Sequence, residues 1–310
     1  MPGGFSIKMN LIRDLTITTL AENSVVAPYL GQWGLSFLLR LVDAKGDPRK
    51  VVFDTGVHKE SLLYNVGKLK ADLSDVDCLV VSHGHRDHTA ATVEIVEAAG
   101  SLKVYAHPHT FLPRLYEDKT GKRRKHGVPK EEGLEEIEKA GGDVCLTSEP
   151  TEIVPGVWTT GQIPRVTPFE RPSSLSRGER AIIVVNGNEV DDQVLDDQAL
   201  WMEVEGCGPL VVTGCAHAGS VNTLLQVQKL GGFARLYGFI GGTHLAGRSE
   251  GYLRETIERL EQFGLSLISP CHCTGFKATS ILWRSFSKEF VLNFSGRVIE
   301  VGKEPEQRMF

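Results

Sequence analysis

The chain has 310 residues, with 34 Lys and Arg against 39 Asp and Glu and a formal charge of −5. That balance gives no global attraction to nucleic acid or to an anionic membrane, and it points to a small-molecule substrate. Hydrophobic residues at 41% and charged residues at 24% exclude wholesale disorder, and one domain over residues 1–310 is expected.

No run approaches the roughly 18 apolar residues that a membrane helix needs. The opening stretch MPGGFSIKMN lacks the apolar core of a signal peptide, so a cytoplasmic protein is expected. Six cysteines, none in a C-x-x-C pair, read as small buried residues or site neighbours rather than a disulfide framework. Cys271 and Cys273, which flank His272, are the exceptions. A homo-oligomer is compatible with all of this.

In chain order, ITTL at 17–20, LSFLLRLV at 35–42 and KVVFDTG at 50–56 read as strands separated by turn residues such as AKGDP. A helix follows at 59–70, then a buried strand at DCLVVS, 77–82, a helix at 89–99 closed by Gly100, and a strand at 101–107. Residues 108–142 are polar, with a helical piece at EEGLEEIEKAGG, and read as an insertion that partly covers the site. Its basic run Lys119, Lys122, Arg123, Arg124, Lys125 and His126 is either a solvated face or an attraction for an anionic substrate. Further strands are expected at 151–161, 180–185, 199–204, 208–215, 235–242 and 265–271, with helices at 220–232 and 252–264. The charged end, 303–310, is expected to fray. Strands first, then strands alternating with helices, predict an α/β (α+β) fold with two sheets between helix layers, a four-layer αββα sandwich.

The chemistry concentrates in VVSHGHRDHT at 80–89. His83, His85, Asp87 and His88 fall within six residues just past a strand end, where a turning loop aims imidazoles and a carboxylate at one or two nearby points. That donor set suits zinc, iron or manganese. Open catalytic sites need about three protein groups per ion, so one loop is not enough. His217 after LVVTGCA and His272 after LSLISPC stand at later strand ends and are the expected further ligands. His244 in FIGGTHLAG is a ligand, an orienting donor or a substrate contact.

VVSHGHRDH, the earlier VVFDTG and these later histidines resemble the metallo-β-lactamase superfamily over most of the chain. GLSFLL, TGQIPR, DDQAL, TGCAHAGSVNTL, GGTHL and PCHCTG resemble one branch of it. That branch contains dihydropterin ribofuranosylaminobenzene phosphate synthases, which act in methanopterin-type cofactor assembly, together with many metal-dependent hydrolases. The resemblance implies a four-layer fold and two divalent metal ions, with zinc expected and iron or manganese as alternatives. It implies His83, His85 and His217 on one ion and Asp87, His88 and His272 on the other. The superfamily commonly has a bridging Asp where this chain has Cys215; a thiolate bridge is one reading, and a buried small cysteine is preferred.

Asp54 in FDTG is expected to orient a ligand imidazole or the turn backbone. Asp196, Asp197 and Gln198 are candidates for the same role. Arg165 and Glu170 are candidate substrate contacts, and Ser36 and Asn222 are candidates on resemblance alone. The expected activity is hydrolysis of a small anionic ester or phosphate by a metal-activated water, with Asp87 as catalytic proton acceptor. A synthase of pterin cofactor assembly is the alternative. A di-iron redox protein is disfavoured, because neither a bridging carboxylate nor a flavodoxin-like segment is visible. Nucleic-acid processing would need a basic surface that the chain lacks.

Overall fold

The computed structural model describes residues 10–170 and 179–303. The expectations for the first nine residues and for the stretch after Lys303 lie outside them. The strands in chain order are β1 (Asp14–Ala21), β2 (Ser36–Val42), β3 (Pro48–Phe53), β4 (Cys78–Val80), β5 (Leu102–Ala106), β6 (Arg114–Glu117), β7 (Arg123–Lys125), β8 (Gly142–Leu146), β9 (Glu152–Val154), β10 (Val157–Thr159), β11 (Arg180–Val185), β12 (Asn188–Asp191), β13 (Ala199–Val204), β14 (Gly208–Thr213), β15 (Gly238–Gly242), β16 (Leu267–Cys271) and β17 (Val298–Glu300). The helices are α1 (Lys59–Leu69), α2 (Arg86–Thr89), α3 (Thr92–Ala99), α4 (Leu134–Lys139), α5 (Ser220–Gly231), α6 (Glu250–Glu261) and α7 (Phe276–Ser285).

Two large sheets form, a seven-stranded one in the order β17-β1-β2-β3-β4-β5-β8 and a six-stranded one in the order β16-β15-β14-β13-β10-β9. Side chains alternate between the faces of a strand, and the apolar residues sort accordingly. Phe37, Leu39, Val51 and Phe53 meet Leu200, Met202, Leu210 and Val212 in the core between the sheets. Their strand neighbours Leu38 and Val52 instead face α1 and α3 through Leu62 and Ile95. On the far side, Trp201 and Val211 pack with residues of α5, α6 and α7 such as Leu224, Leu260 and Leu282. Three apolar interfaces between four layers make the expected αββα sandwich. Helix α6 illustrates the local logic: Ser249 Oγ caps the Tyr252 amide at 3.3 Å, and Leu253, Ile257 and Leu260 lie buried on one face.

Among the described residues, no helix is long and apolar enough to cross a membrane. Three local expectations change. The helix read at 89–99 divides into α2 and α3, because Ala91 leaves helical geometry at φ −145° and ψ 31°. Within 108–142 only α4 and a short 3-10 turn at Lys130–Glu132 are helical. The strands β6 and β7 join β11 and β12 in a third sheet, ordered β12-β11-β6-β7. Helix α7 and the edge strand β17 were not read from the sequence at all.

Candidate metal centre

Strands β3, β4 and β5 run parallel, as do β14, β15 and β16. In open α/β sheets, ligands collect beyond the carboxyl ends of such strands. The loop after β4 carries His83, His85, Asp87 and His88, and the turns after β14, β15 and β16 carry His217, His244 and His272. Close approach of the two sheets needs a glycine before Cys215: a Cβ on Gly214 would collide with the Ser82 hydroxyl and come within 2.8 Å of Asp54 Oδ2. Asp54, Ala216, His244 and His272 all hold positive φ, at 61, 54, 50 and 53°. Such strain in non-glycine residues collects at functional sites.

The side chains meet there. His83 Nε2 lies 3.0 Å from His85 Nδ1, and the His217 ring centroid is 4.7 Å from those of both. His88 Nε2 lies 3.2 Å from His272 Nε2 and 3.2 Å from Cys215 Sγ, with Asp87 Oδ2 3.4 Å from His272 Nε2. The ligand atoms of His83, Cys215 and His217 lie within 4.8 Å of one another, as do those of His88, Cys215 and His272, and those of Cys215, His244 and Cys273.

The partners of these rings fix which nitrogen points inward. His88 Nδ1 donates to Asp54 Oδ2 at 2.6 Å, and His272 Nδ1 donates to Asn23 Oδ1 at 3.0 Å. His83 Nδ1 faces Ser82 Oγ at 2.9 Å. With both Nδ1 atoms engaged in this way, the facing Nε2 atoms of His88 and His272 lie 3.2 Å apart. That contact needs either a proton or a cation between the two nitrogens. Burial works against charge on His88, yet the Asp54 carboxylate prevails and lifts its pKa to about 9. Burial also opposes ionisation of Asp87, but His272 and His88 hold its carboxyl well below the usual carboxylate range. Burial drives His83, His85 and His217 far down, so these rings are neutral, the form in which imidazole binds metals. His85 Nε2 and His217 Nε2 are buried without a hydrogen-bond partner among the described residues. A single proton cannot satisfy so many converging nitrogen, sulfur and oxygen donors; metal ions fit the arrangement.

Around the centre the sequence candidates take varied places. Asp54 also binds the Ser82 amide and hydroxyl, each at 2.7 Å. Asp196 accepts from the Gly84 amide at 2.7 Å and pairs with the buried Arg114 at 2.5 Å. Asp197 accepts from the Ala218 amide at 2.7 Å, steadying the turn that bears His217. Gln198 Nε2 donates to Val81 O at 2.9 Å. Arg165 donates to the carbonyls of Gln193 and His217. His244 lies with its ring centroid 4.2 Å from that of His217, and its amide is 3.2 Å from Cys273 Sγ.

Three further candidates are buried. Glu170 is 2% exposed, and its carboxylate accepts from the Val221 and Asn222 amides at 2.8 Å and from Thr167, which caps the start of α5. Asn222 Oδ1 accepts from the Val166 and Thr167 amides at 2.9 Å while Nδ2 donates to Ala218 O, so it fastens a loop. Ser36 is fully buried at the start of β2, and its hydroxyl has no hydrogen-bond partner among the described residues. Within the basic run, Arg123 pairs with Glu117 and Glu189, and Arg124 stacks on Tyr116. His126 turns inward, 4.4 Å ring to ring from His85. Sequence reasoning missed Asn23, Glu22, Arg114 and Ser82. Only Ser82 lay inside a quoted motif; the others act from distant segments with no signature.

A family model described as the metallo-beta-lactamase superfamily matches residues 34–184. The 7,8-dihydropterin-6-methyl-4-(beta-D-ribofuranosyl)-aminobenzene-5'-phosphate synthase of Methanocaldococcus jannaschii is 30% identical over 294 residues, covering 93% of this chain and 97% of that one. The chain belongs to the metallo-β-lactamase superfamily. It is an enzyme of that superfamily. A second M. jannaschii relative, the uncharacterized protein MJ0448, is 29% identical over 286 residues, 92% of this chain and 100% of its own. Among solved structures, Tm1679, a metal-dependent hydrolase of the beta-lactamase superfamily, aligns with a TM-score of 0.76 at 24% identity, over 93% of this chain and 100% of that chain. A diphosphatase of the PhnP family aligns at 0.51 and 12% identity, over 92% and 97%. These structures share the fold.

Proposed function

We propose that the chain is a dinuclear metal-dependent hydrolase of a small anionic substrate, a phosphoester or a carboxylic ester. One observation carries this reading: two imidazoles locked by Asp54 and Asn23 turn their Nε2 atoms towards each other at 3.2 Å, with Cys215 Sγ in the same donor group. His83, His85 and His217 would hold one ion, and Asp87, His88 and His272 the other. Zinc is the expected ion, with iron or manganese as alternatives. Bound divalent cations supply Lewis acidity to an ester or phosphoryl oxygen and bring water into the range where it ionises near neutral pH.

The protein's own groups do the rest. Asp54, Ser82 and Asn23 hold three rings in one tautomer and one orientation, so nothing must reorganise when charge develops. Asp87, ionised and at the edge of the cluster, accepts the proton of the attacking water. No serine or cysteine nucleophile is needed. Arg165, half-buried and close to His217, contributes positive charge on the side where an anionic substrate would lie.

A second reading, the activity in the name of the M. jannaschii synthase, is favoured by one feature. Trp33 is 61% exposed, yet its ring lies 5.5 Å from that of His272. It presents an aromatic face to a planar heterocycle beside the centre.

Metal analysis of the purified protein, with hydrolysis of a generic phosphodiester followed in parallel, tests both. Two metals per chain and turnover that falls together in His83→Ala and His272→Ala are expected. Two metals without turnover, accompanied by quenching of Trp33 fluorescence by a dihydropterin, would move the assignment to the synthase. Less than one metal after reconstitution with zinc, iron and manganese would defeat both readings.

A further inference from the structure

We propose that Cys215 is a metal ligand, its thiolate bridging the two ions in the position where the superfamily commonly uses a carboxylate. This rests on the dinuclear reading above and goes beyond it, because the sequence alone favoured a cysteine that merely fills space. Three observations reverse that preference.

The first is position. Cys215 Sγ belongs to both donor groups, within 4.8 Å of the ligand atoms of His83 and His217 on one side and of His88 and His272 on the other. It is the one atom of the described residues common to both. The second is contact: Sγ lies 3.2 Å from His88 Nε2, the nitrogen that Asp54 turns inward. The third is what the sulfur does not do. Cys78 and Cys271 are members of the apolar core between the sheets, whereas Cys215, although 3% exposed, belongs to none of the apolar clusters among the described residues. A space-filling cysteine packs against hydrocarbon; this one packs against imidazole. The backbone serves the placement, with the next residue, Ala216, held at φ 54°.

On binding, the S–H bond breaks, the sulfur keeps the electron pair as thiolate and the proton leaves to solvent. A soft sulfur bridge selects zinc, cobalt or ferrous iron over magnesium or calcium. It also makes the centre open to oxidants, with Cys273 close by: its Sγ lies 3.6 Å from Cys215 O.

Cobalt(II) substitution reads the ligand directly, because sulfur bound to cobalt gives a near-ultraviolet charge-transfer band that nitrogen and oxygen ligands do not. The experiment loads the wild-type chain, Cys215→Ser, Cys215→Asp and Cys273→Ser with cobalt alone and records stoichiometry and absorption. Expected are a charge-transfer band in the wild-type chain and in Cys273→Ser, and its loss in both Cys215 variants. Cys215→Asp, which restores a carboxylate bridge, keeps two ions and the visible bands of imidazole-bound cobalt, so a folding failure of Cys215→Ser does not decide the result. Two bound ions without the band in wild type, or a band that survives Cys215→Asp, would overturn the assignment while leaving the dinuclear centre standing. No cobalt uptake at all would overturn both.

Discussion

The arm formed by His83, His85 and His217 is positioned mainly through its backbone, with only the His83 ring gripped, by Ser82, whereas the arm formed by Asp87, His88 and His272 has both of its rings gripped. On the first arm Asp196 holds the Gly84 amide, Asp197 holds the Ala218 amide and Arg165 holds the His217 carbonyl. Two of its rings keep an unpartnered nitrogen. On the second arm Asp54 and Asn23 grip the rings themselves, and Glu22 takes the His272 amide at 2.6 Å. Ring-gripping fixes the tautomer before a cation arrives; backbone-gripping fixes only where the ring begins. The second arm is thus the more preorganised one, and it should bind first as metal is titrated in.

The largest effect expected from breaking this arrangement is on the first arm's foundation. Arg114 is 2% exposed and pairs with both Asp192 at 2.8 Å and Asp196 at 2.5 Å. Arg114→Leu leaves two buried carboxylates without their cation and should destabilise the fold by about 3–5 kcal/mol. Urea unfolding measures it; a loss below about 1 kcal/mol would mean that solvent reaches the pair. Next comes the second arm: Asp54→Ala should weaken metal binding about 10- to 100-fold, read by competition with a chelator. An unchanged affinity would show that His88 is held by something other than Asp54. Asn23→Ala removes a neutral partner in place of a charged one and should cost less than about tenfold; equal losses in the two variants would erase the distinction between carboxylate and amide anchors.

The smallest effect lies away from both arms and serves as a control. Glu132, 3% exposed, accepts from the Val93 amide at the start of α3 at 2.8 Å. Burial, with Glu94 nearby, raises its pKa from 4.5 to about 7. The folded state therefore favours the protonated form. Its contribution to stability is complete below about pH 4.5 and fades as the pH rises towards 7, because the folded chain there holds a proton that the unfolded chain has released. Glu132→Gln should gain on the wild type by roughly 1 kcal/mol between pH 5 and pH 8, with metal content unchanged. Thermal unfolding across that range tests the sign, and a wild-type advantage that grows with pH would contradict it.

How far all this was readable from sequence depends on whether a residue acts through its neighbours in the chain. His83, His85, Asp87 and His88 announce themselves because one loop carries them, and the strands that hold Leu38, Val52 and Val211 announce themselves as continuous apolar runs. The third sheet stayed hidden, since β6, β7 and β12 are short and charged on both sides, for example Arg123, Arg124 and Lys125 all exposed in β7. Helix α7 stayed hidden as well: its start at Gly275 has no side-chain cap and no acidic residue in the first turn, so no start signal marks it. Glu170 and Asn222 look like site residues in sequence because they stand beside TGQIPR and TGCAH, and only packing reveals that backbone amides occupy them. Asn23 and Arg114 act across 249 and 82 residues respectively, distances over which no local pattern can speak.

The most direct test of the central claim is anomalous diffraction from crystals of the zinc-reconstituted chain, recorded at the zinc edge. Two peaks are expected, one among His83, His85 and His217 and the other among Asp87, His88 and His272. A single peak, or zinc bound away from these residues, would contradict it.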